Sequence, residues 1–292
     1  MRLAAAPCSG AIREAAMQLL RRVARATGRA ALRWIDDRCA SMAAAVAFFS
    51  AFSLAPTLVI VVAVGGAFFG PEAVRWQVVE EMGGLLGRES AVALQGMIES
   101  VWFADAAGLK ALLSLATLLV GASATFAELE QDVNLVWRTP PRPGASSVGG
   151  FLRVRLLSIG LVVGVGFLLV VSLVLDTVIQ ALNDAMWPPD AAGRLLMAVA
   201  NQVTALALLS ATFALLMSAL VPRMGWRSAV LGAVVASVLF NMGKSVFGLY
   251  LARAGTADAF GAAGSLAVIL MWLFFSASVF LYGVAYARVW SE

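Results

Sequence analysis

Apolar positions along this chain gather in six long blocks, and the charged positions collect between them. The charge-free runs are Cys39 to Pro71, Ala111 to Ala127, Leu156 to Leu175, Leu195 to Pro222, Ser228 to Gly243 and Ala259 to Ala287. A helix needs roughly 20 mostly apolar residues to cross a hydrocarbon core, and each run reaches that length once its flanks are counted. Ala111 to Ala127 continues through an apolar-rich end to Trp137. Ser228 to Gly243 is broken only by Lys244 before Phe247, Leu249, Tyr250 and Leu251. The pattern predicts an all-α integral membrane protein with six transmembrane helices, at about 41–69, 109–137, 155–181, 195–220, 229–252 and 262–288.

The polar intervals set the orientation. Of 21 Lys and Arg, fifteen fall before the first span (Arg2, Arg13, Arg21, Arg22, Arg25, Arg29, Arg33, Arg38), in the second loop (Arg138, Arg142, Arg153, Arg155), in the fourth (Arg223, Arg227) and in the tail (Arg288). The odd-numbered loops hold Arg75, Arg88, Lys110, Arg194 and Arg253. Cytoplasmic loops retain basic residues, so both termini are expected inside. Trp34, Trp76, Trp102, Trp137, Trp187, Trp226 and Trp290 fall near span ends, where indole favours the headgroup level, and only Trp272 sits in mid-span.

Two further segments have helical periodicity. In the basic segment 1–38, Ile12, Ala16, Leu19, Leu20 and Val23 share a stripe largely clear of Arg13, Arg21, Arg25 and Arg29. A helix of this kind suits an anionic cytoplasmic leaflet, with a plain topogenic charge cluster as the alternative. No cleavage pattern marks a removable signal peptide. The long periplasmic loop 71–108 carries Leu94, Met97, Ile98, Val101 and Trp102 at helical spacing, which predicts an amphipathic helix resting on the bilayer or capping the bundle. Residues 289–292 form a cytoplasmic tail.

Composition agrees with the bilayer class: 61% hydrophobic and 13% charged residues, with a mean hydropathy of +0.89. Cys8 and Cys39 both fall on the cytoplasmic side, which argues against a structural disulfide. Histidine is absent, so the commonest general base and metal ligand is missing. No nucleophile with an adjacent base, no metal-ligand spacing and no phosphate-binding loop appears. The expectation is a protein that is not an enzyme, with no cofactor, metal or nucleic-acid partner.

Packing and chemistry are written inside the spans. Gly160 with Gly164, Gly121 with Thr125, and Gly232 with Ala236 make small-xxx-small ridges, assigned to internal packing with homo-oligomerisation as the alternative. Pro56 is expected to bend or interrupt the first span, with Ser50 and Ser53 beside it. Ionisable groups within spans are costly and mark functional candidates. Lys244, sharing a face with Asn241, lies at a depth comparable with Asp176 and with Asn201, Gln202 and Thr204. Binding of an anionic headgroup, an ion pair with Asp176 and snorkelling to the surface all remain open there. Glu128, Glu130 and Asp132 cluster at the inner end of the second span as an inner gate, a proton relay or a network satisfied by Arg153, Arg155, Arg223 or Arg227.

The order of motifs resembles the YihY/BrkB family of bacterial inner-membrane proteins, sometimes labelled ribonuclease BN. The residues that carry the resemblance are Asp36-Asp37, the run Ala47 to Pro56, and Asn134-Leu135-Val136-Trp137-Arg138. Further on come Val221-Pro222, Gly232 to Tyr250, and Phe260-Gly261-Ala262-Ala263-Gly264 leading into Trp272. Phe48 stands where the family commonly has Tyr, and Ala285 where it commonly has an acidic residue. The resemblance implies a six-helix, multi-pass inner-membrane fold and movement of lipids or other amphiphiles. Joined to the residue reading, it predicts a transporter or flippase of an anionic lipid, with a non-catalytic scaffold or envelope-organising protein as the alternative. The ribonuclease label finds no support in these residues.

Overall fold

A computed structural model describes residues 8–70, 125–139, 191–254 and 262–292, with scattered positions between 72 and 96. We label the helices α1 (Cys8–Asp36), α2 (Cys39–Phe69), α3 (residues 125–137), α4 (Ala191–Leu220), α5 (Trp226–Ala254) and α6 (Ala262–Ser291). No strand occurs among the described residues. In lipid every backbone N–H and C=O needs an internal partner, which continuous helices supply. Small polar side chains follow the same rule. Ser210, Thr212, Ser218 and Ser276 each donate to the carbonyl four residues earlier, at 2.7 to 2.9 Å.

Val199–Leu220, Trp226–Tyr250 and Gly264–Ser291 are each long and apolar enough to cross a membrane, and Cys39–Phe52 adds a shorter apolar stretch. The second expected span is described only over α3, and the third lies outside the described residues, as does most of the 71–108 loop. In that loop Glu72, Arg75, Trp76, Val79 and Gln95 line a small recess of about 220 Å³.

Helix α6 is the hub, packing against α5, α2 and α1, while α4 packs on α5. Its inward face is fully buried at Leu281, Val284, Ala285 and Ala287. Close approach to α5 depends on glycine. A Cβ built on Gly232 would lie 2.5 Å from the Gly283 carbonyl oxygen, and one on Gly283 would lie 2.8 Å from Ala236 Cβ. The Gly232/Ala236 ridge expected from spacing is therefore an internal α5–α6 seam. The ring of Phe275 covers Gly243 one level further along. Trp272 joins Phe240, Phe247 and Phe275 at centroid distances of 5.1 to 5.7 Å, so the mid-span indole is a core residue.

The polar ends meet at one end of the bundle. Helix α1 closes on a turn in which Arg38 adopts a left-handed φ of 56° and its N–H reaches the Ile35 carbonyl at 3.0 Å. Helix α2 then starts at Cys39 and continues through Pro56 to Phe69, so the proline does not end it. The C-termini of α3, α4 and α6 and the 221–225 turn belong to the same buried cluster as Cys39, bringing Arg33, Arg138, Arg223, Arg227 and Arg288 to this arginine-rich end.

Helix α1 docks by the continuation of its apolar stripe. Ala26 and Ala30 pack on Tyr286 and Val289, Trp34 Nε1 donates to the Ser278 carbonyl at 3.2 Å, and the Tyr282 hydroxyl donates to the Thr27 carbonyl at 3.0 Å. Arg22 lies 4.8 Å above the Trp290 ring. The protein contact is made by Ala26 and Ala30, about one and two turns beyond the stripe, while Val23 within it is exposed. Leu32 and Ile35, on the far side, remain exposed beside Arg25.

Candidate functional site

Two polar zones interrupt the apolar surfaces. The first lies on α4 and α5, far from the arginine-rich end. Lys244 is exposed among exposed Met242 and Val246, and Asn241 is half-buried with its carbonyl accepting from Ser245 at 3.3 Å. On α4, Asn201 and Gln202 are exposed and Thr204 is half-buried. Helices α4 and α5 are in contact, and these residues stand at comparable distances from the 221–225 turn. The structure therefore places Lys244, Asn241, Asn201 and Gln202 on neighbouring stretches of two packed helices. The side chains of Lys244, Asn201 and Gln202 make no ion pair or hydrogen bond among the described residues. Asp176, the expected partner of Lys244, lies outside them.

The second zone is the arginine-rich end. Glu128 and Glu130 on α3 are half-buried, and the Glu130 carbonyl accepts from Asn134 Nδ2 at 2.7 Å. Asp132 is 6% exposed, and its Oδ2 has no hydrogen-bond partner. Arg223 and Arg227, two of the four arginines expected to satisfy this cluster, are exposed and pair with none of it. Arg153 and Arg155 lie outside the described residues.

Around α3 stands a constellation that spacing alone did not reveal. Arg138, left-handed at φ 54°, brings Nη2 to 3.9 Å from Asp37 Oδ1. Arg288 Nη1 donates to the Val136 carbonyl at 2.7 Å, satisfying one of the carbonyls that the end of α3 leaves without an intrahelical partner. Glu292 is gripped bidentately by Arg33, with Nη1 to Oε1 at 2.7 Å and Nη2 to Oε2 at 2.6 Å. Arg29 Nη2 adds a bond to Oε2 at 3.3 Å, and Arg288 Nε lies 3.5 Å from Oε1. The Arg33 hydrogen bonds, helped by the charges of Arg33, Arg288 and Arg29, hold the Glu292 carboxyl below the usual carboxylate range. Reciprocally, Arg33 is raised, first by its hydrogen bond to Glu292.

The sequence did carry signals for this cluster. Asp37 and Arg138 are both motif positions at the ends of consecutive spans, and Arg288 and Glu292 stand four residues apart.

Comparison with known proteins agrees with this architecture. A family model described as Virulence factor BrkB matches residues 30–292. The UPF0761 membrane protein of Azotobacter vinelandii is 30% identical over 262 residues, covering 86% of this chain and 59% of the relative. That of Halorhodospira halophila is 30% identical over 251 residues, covering 85% and 53%. A Pseudomonas aeruginosa relative of the same description reaches 34% over 173 residues, covering 57% and 39%. The chain thus spans little more than half the length of the first two. No solved structure matches it. With the family match running through α2 to α6 and the Azotobacter relative aligned over most of the chain, the protein belongs to the Virulence factor BrkB family of membrane proteins.

Proposed function

We propose that this protein moves an anionic lipid or a similar amphiphile across a bacterial inner membrane, with its arginine-rich end and both termini in the cytoplasm. The observation that carries the reading is that Lys244, Asn241, Asn201 and Gln202 stand at comparable depths on two helices that pack together. A lysine within a span costs up to about 2.5 to 3.5 kcal/mol at the helix centre, and less toward its end, unless it finds water or a counter-charge. Lys244 has neither an ion pair nor a hydrogen bond among the described residues, so its cation is free to meet an anionic headgroup, with the amides at hand for the polar part. The apolar flanks, Met242 and Val246 on α5 and Val199 and Val203 on α4, suit acyl chains.

No catalysis enters this reading, since these groups include no nucleophile beside a base. On the cytoplasmic side, the basic residues of α1 face an anionic leaflet. A scaffold or envelope-organising role is the second reading, favoured by the grip of Arg29, Arg33 and Arg288 on Glu292, which fixes α1 to α6 whatever else the protein does.

The test is translocation of headgroup-labelled anionic lipid in proteoliposomes. Wild type faster than protein-free vesicles, with the excess lost in Lys244→Met, supports the transport reading. Rates equal to empty vesicles across several headgroups turn the choice to the scaffold.

A further inference from the structure

We infer that Asp132 is a proton-binding site, occupied while the inner end of α3 is docked in the bundle. The coupling role of such a site rests on the transport reading; the site itself does not.

The inference stands on four observations. Asp132 is 6% exposed, and Oδ2 is buried without a hydrogen-bond partner. Its helix neighbours Leu129, Val133 and Val136 belong to the main apolar cluster, so water is largely excluded. Every guanidinium described at this end is committed elsewhere or exposed. Arg138 faces Asp37, Arg288 serves the Val136 carbonyl and Glu292, and Arg29 and Arg33 hold Glu292. Among the described residues the remaining titratable neighbours are acids: Glu128 one turn earlier on α3, and on α2 the buried thiol of Cys39, itself within electrostatic reach of Asp37.

A carboxylate removed from water, with no cation on it among the described residues and a second carboxylate beside it, favours its neutral form. Asp37 makes the contrast. It also has a buried Oδ2 with no hydrogen-bond partner among the described residues, but its other oxygen lies 3.9 Å from Arg138 Nη2.

The chemistry is a single equilibrium. A proton from water at the arginine-rich end binds the carboxylate, and it returns to that water when the end of α3 opens. The distance is short, since Asp132 lies about 9 Å along the helix from exposed Arg138. Docking of that end depends on the Arg288 bond to Val136 and the Arg138 to Asp37 pair, both at the margin of the bundle. Bound to protons, Asp132 permits the docked arrangement; ionised, it favours the open one.

Thermal unfolding of the purified full chain in detergent, between pH 3.5 and pH 9, tests this without any substrate. Wild type is compared with Asp132→Asn, which imitates the neutral carboxyl, and with Glu128→Gln. The group's stabilising contribution is present when it is protonated in both folded and unfolded chains and is lost as pH rises through its folded titration. The two Asp132 forms should therefore converge only near pH 3.5, below the ordinary aspartate range, with wild type already behind at pH 5 and several degrees below Asp132→Asn by pH 9. Glu128→Gln should shrink that gap. Parallel curves, or an Asp132→Asn protein less stable than wild type at alkaline pH, would overturn the proposal.

Should Asp132→Asn fail to accumulate, infrared spectra of wild type labelled with 13C at the aspartate carboxyl decide the point. A protonated-carboxyl band at pH 7 that shifts with the label supports the site, and its absence rejects it. Loss of lipid movement with the melting result intact would sink the transport reading alone.

Discussion

Gly232 and Gly283 face each other across the α5–α6 seam with no room for a methyl group on either. A Cβ on Gly283 would lie 2.8 Å from the Gly232 carbonyl oxygen and 2.9 Å from the Met217 methyl carbon. The methionine can swing away, but the backbone oxygen cannot move without its helix. Gly283→Ala is expected to destabilise the protein by about 1 to 3 kcal/mol, the usual range for overpacking a tight core. Gly28, with nothing near its would-be Cβ, is the comparison. Gly28→Ala in α1 should be neutral or stabilising by up to about 1 kcal/mol, because it lowers the backbone entropy lost on helix formation. Melting of both variants in one detergent checks the pair, and equal destabilisation would show that the seam is looser than described.

Arg288 joins two chain segments through one guanidinium, reaching the Val136 carbonyl of α3 and Glu292 at the end of its own helix. Arg288→Ala leaves a carbonyl at the end of α3 without its charged donor, a loss of about 1.5 to 3 kcal/mol for a hydrogen bond of this kind. Limited proteolysis by trypsin should then cut sooner after Arg138, which is already exposed. Arg288→Lys, with a single ammonium nitrogen in place of the planar fork, should fall between the two. An Arg288→Ala protein with wild-type cleavage would mean that α3 is held by its apolar side alone.

The Arg33 grip on Glu292 should open in acid. The Glu292 carboxyl titrates below its ordinary value of 4.5 because the Arg33 hydrogen bonds favour its charged form. Its contribution is therefore complete above that ordinary value and fades as pH falls through the lowered one. With Glu292 38% exposed, solvent screening keeps the gain to roughly 1 kcal/mol or less. At pH 7, Glu292→Gln should loosen α1 from α6, seen as faster backbone hydrogen exchange in α1 at a fixed labelling pH, with the α5–α6 seam unaffected. Wild type and variant should converge on approaching pH 3. A difference that persists there would assign the effect to packing rather than charge.

How much of this was legible depends on whether a residue acts through its helix or through another segment. The apolar blocks that became α4, α5 and α6 were plain because lipid demands an unbroken run, and Gly232 with Ala236 could be read as a ridge because both lie on one helix. The departure at Ala285 was visible but silent in the sequence; the structure shows full burial in the face of α6, where a carboxylate would be stranded among apolar neighbours. The α1 stripe was legible as amphipathic, yet periodicity does not distinguish lipid from the Tyr286 and Val289 face of α6 as the surface that receives it. The contacts of Arg33 and Arg29 with Glu292, some 260 residues away in sequence, depend on which helices are neighbours, and no local pattern encodes that adjacency.

Lys244 offers the sharpest separation of structure from function. Its side chain is exposed and makes no ion pair or hydrogen bond among the described residues, so Lys244→Met removes no described contact and lowers the polarity of a mid-span surface. Melting temperature should stay level or rise, since a methionine there avoids part of the cost, up to about 2.5 to 3.5 kcal/mol at a helix centre, that a lysine carries. Labelled-lipid movement should fall at least tenfold, about 1.4 kcal/mol of lost stabilisation on the path. Lys244→Arg keeps the charge and adds a planar fork for phosphate, so it should retain much of the activity. A Lys244→Met protein that melts lower than wild type would instead place the ammonium in a structural contact. One that moves lipid at the wild-type rate would remove this residue from the path and leave the amides of Asn201, Gln202 and Asn241 without a reason to be there.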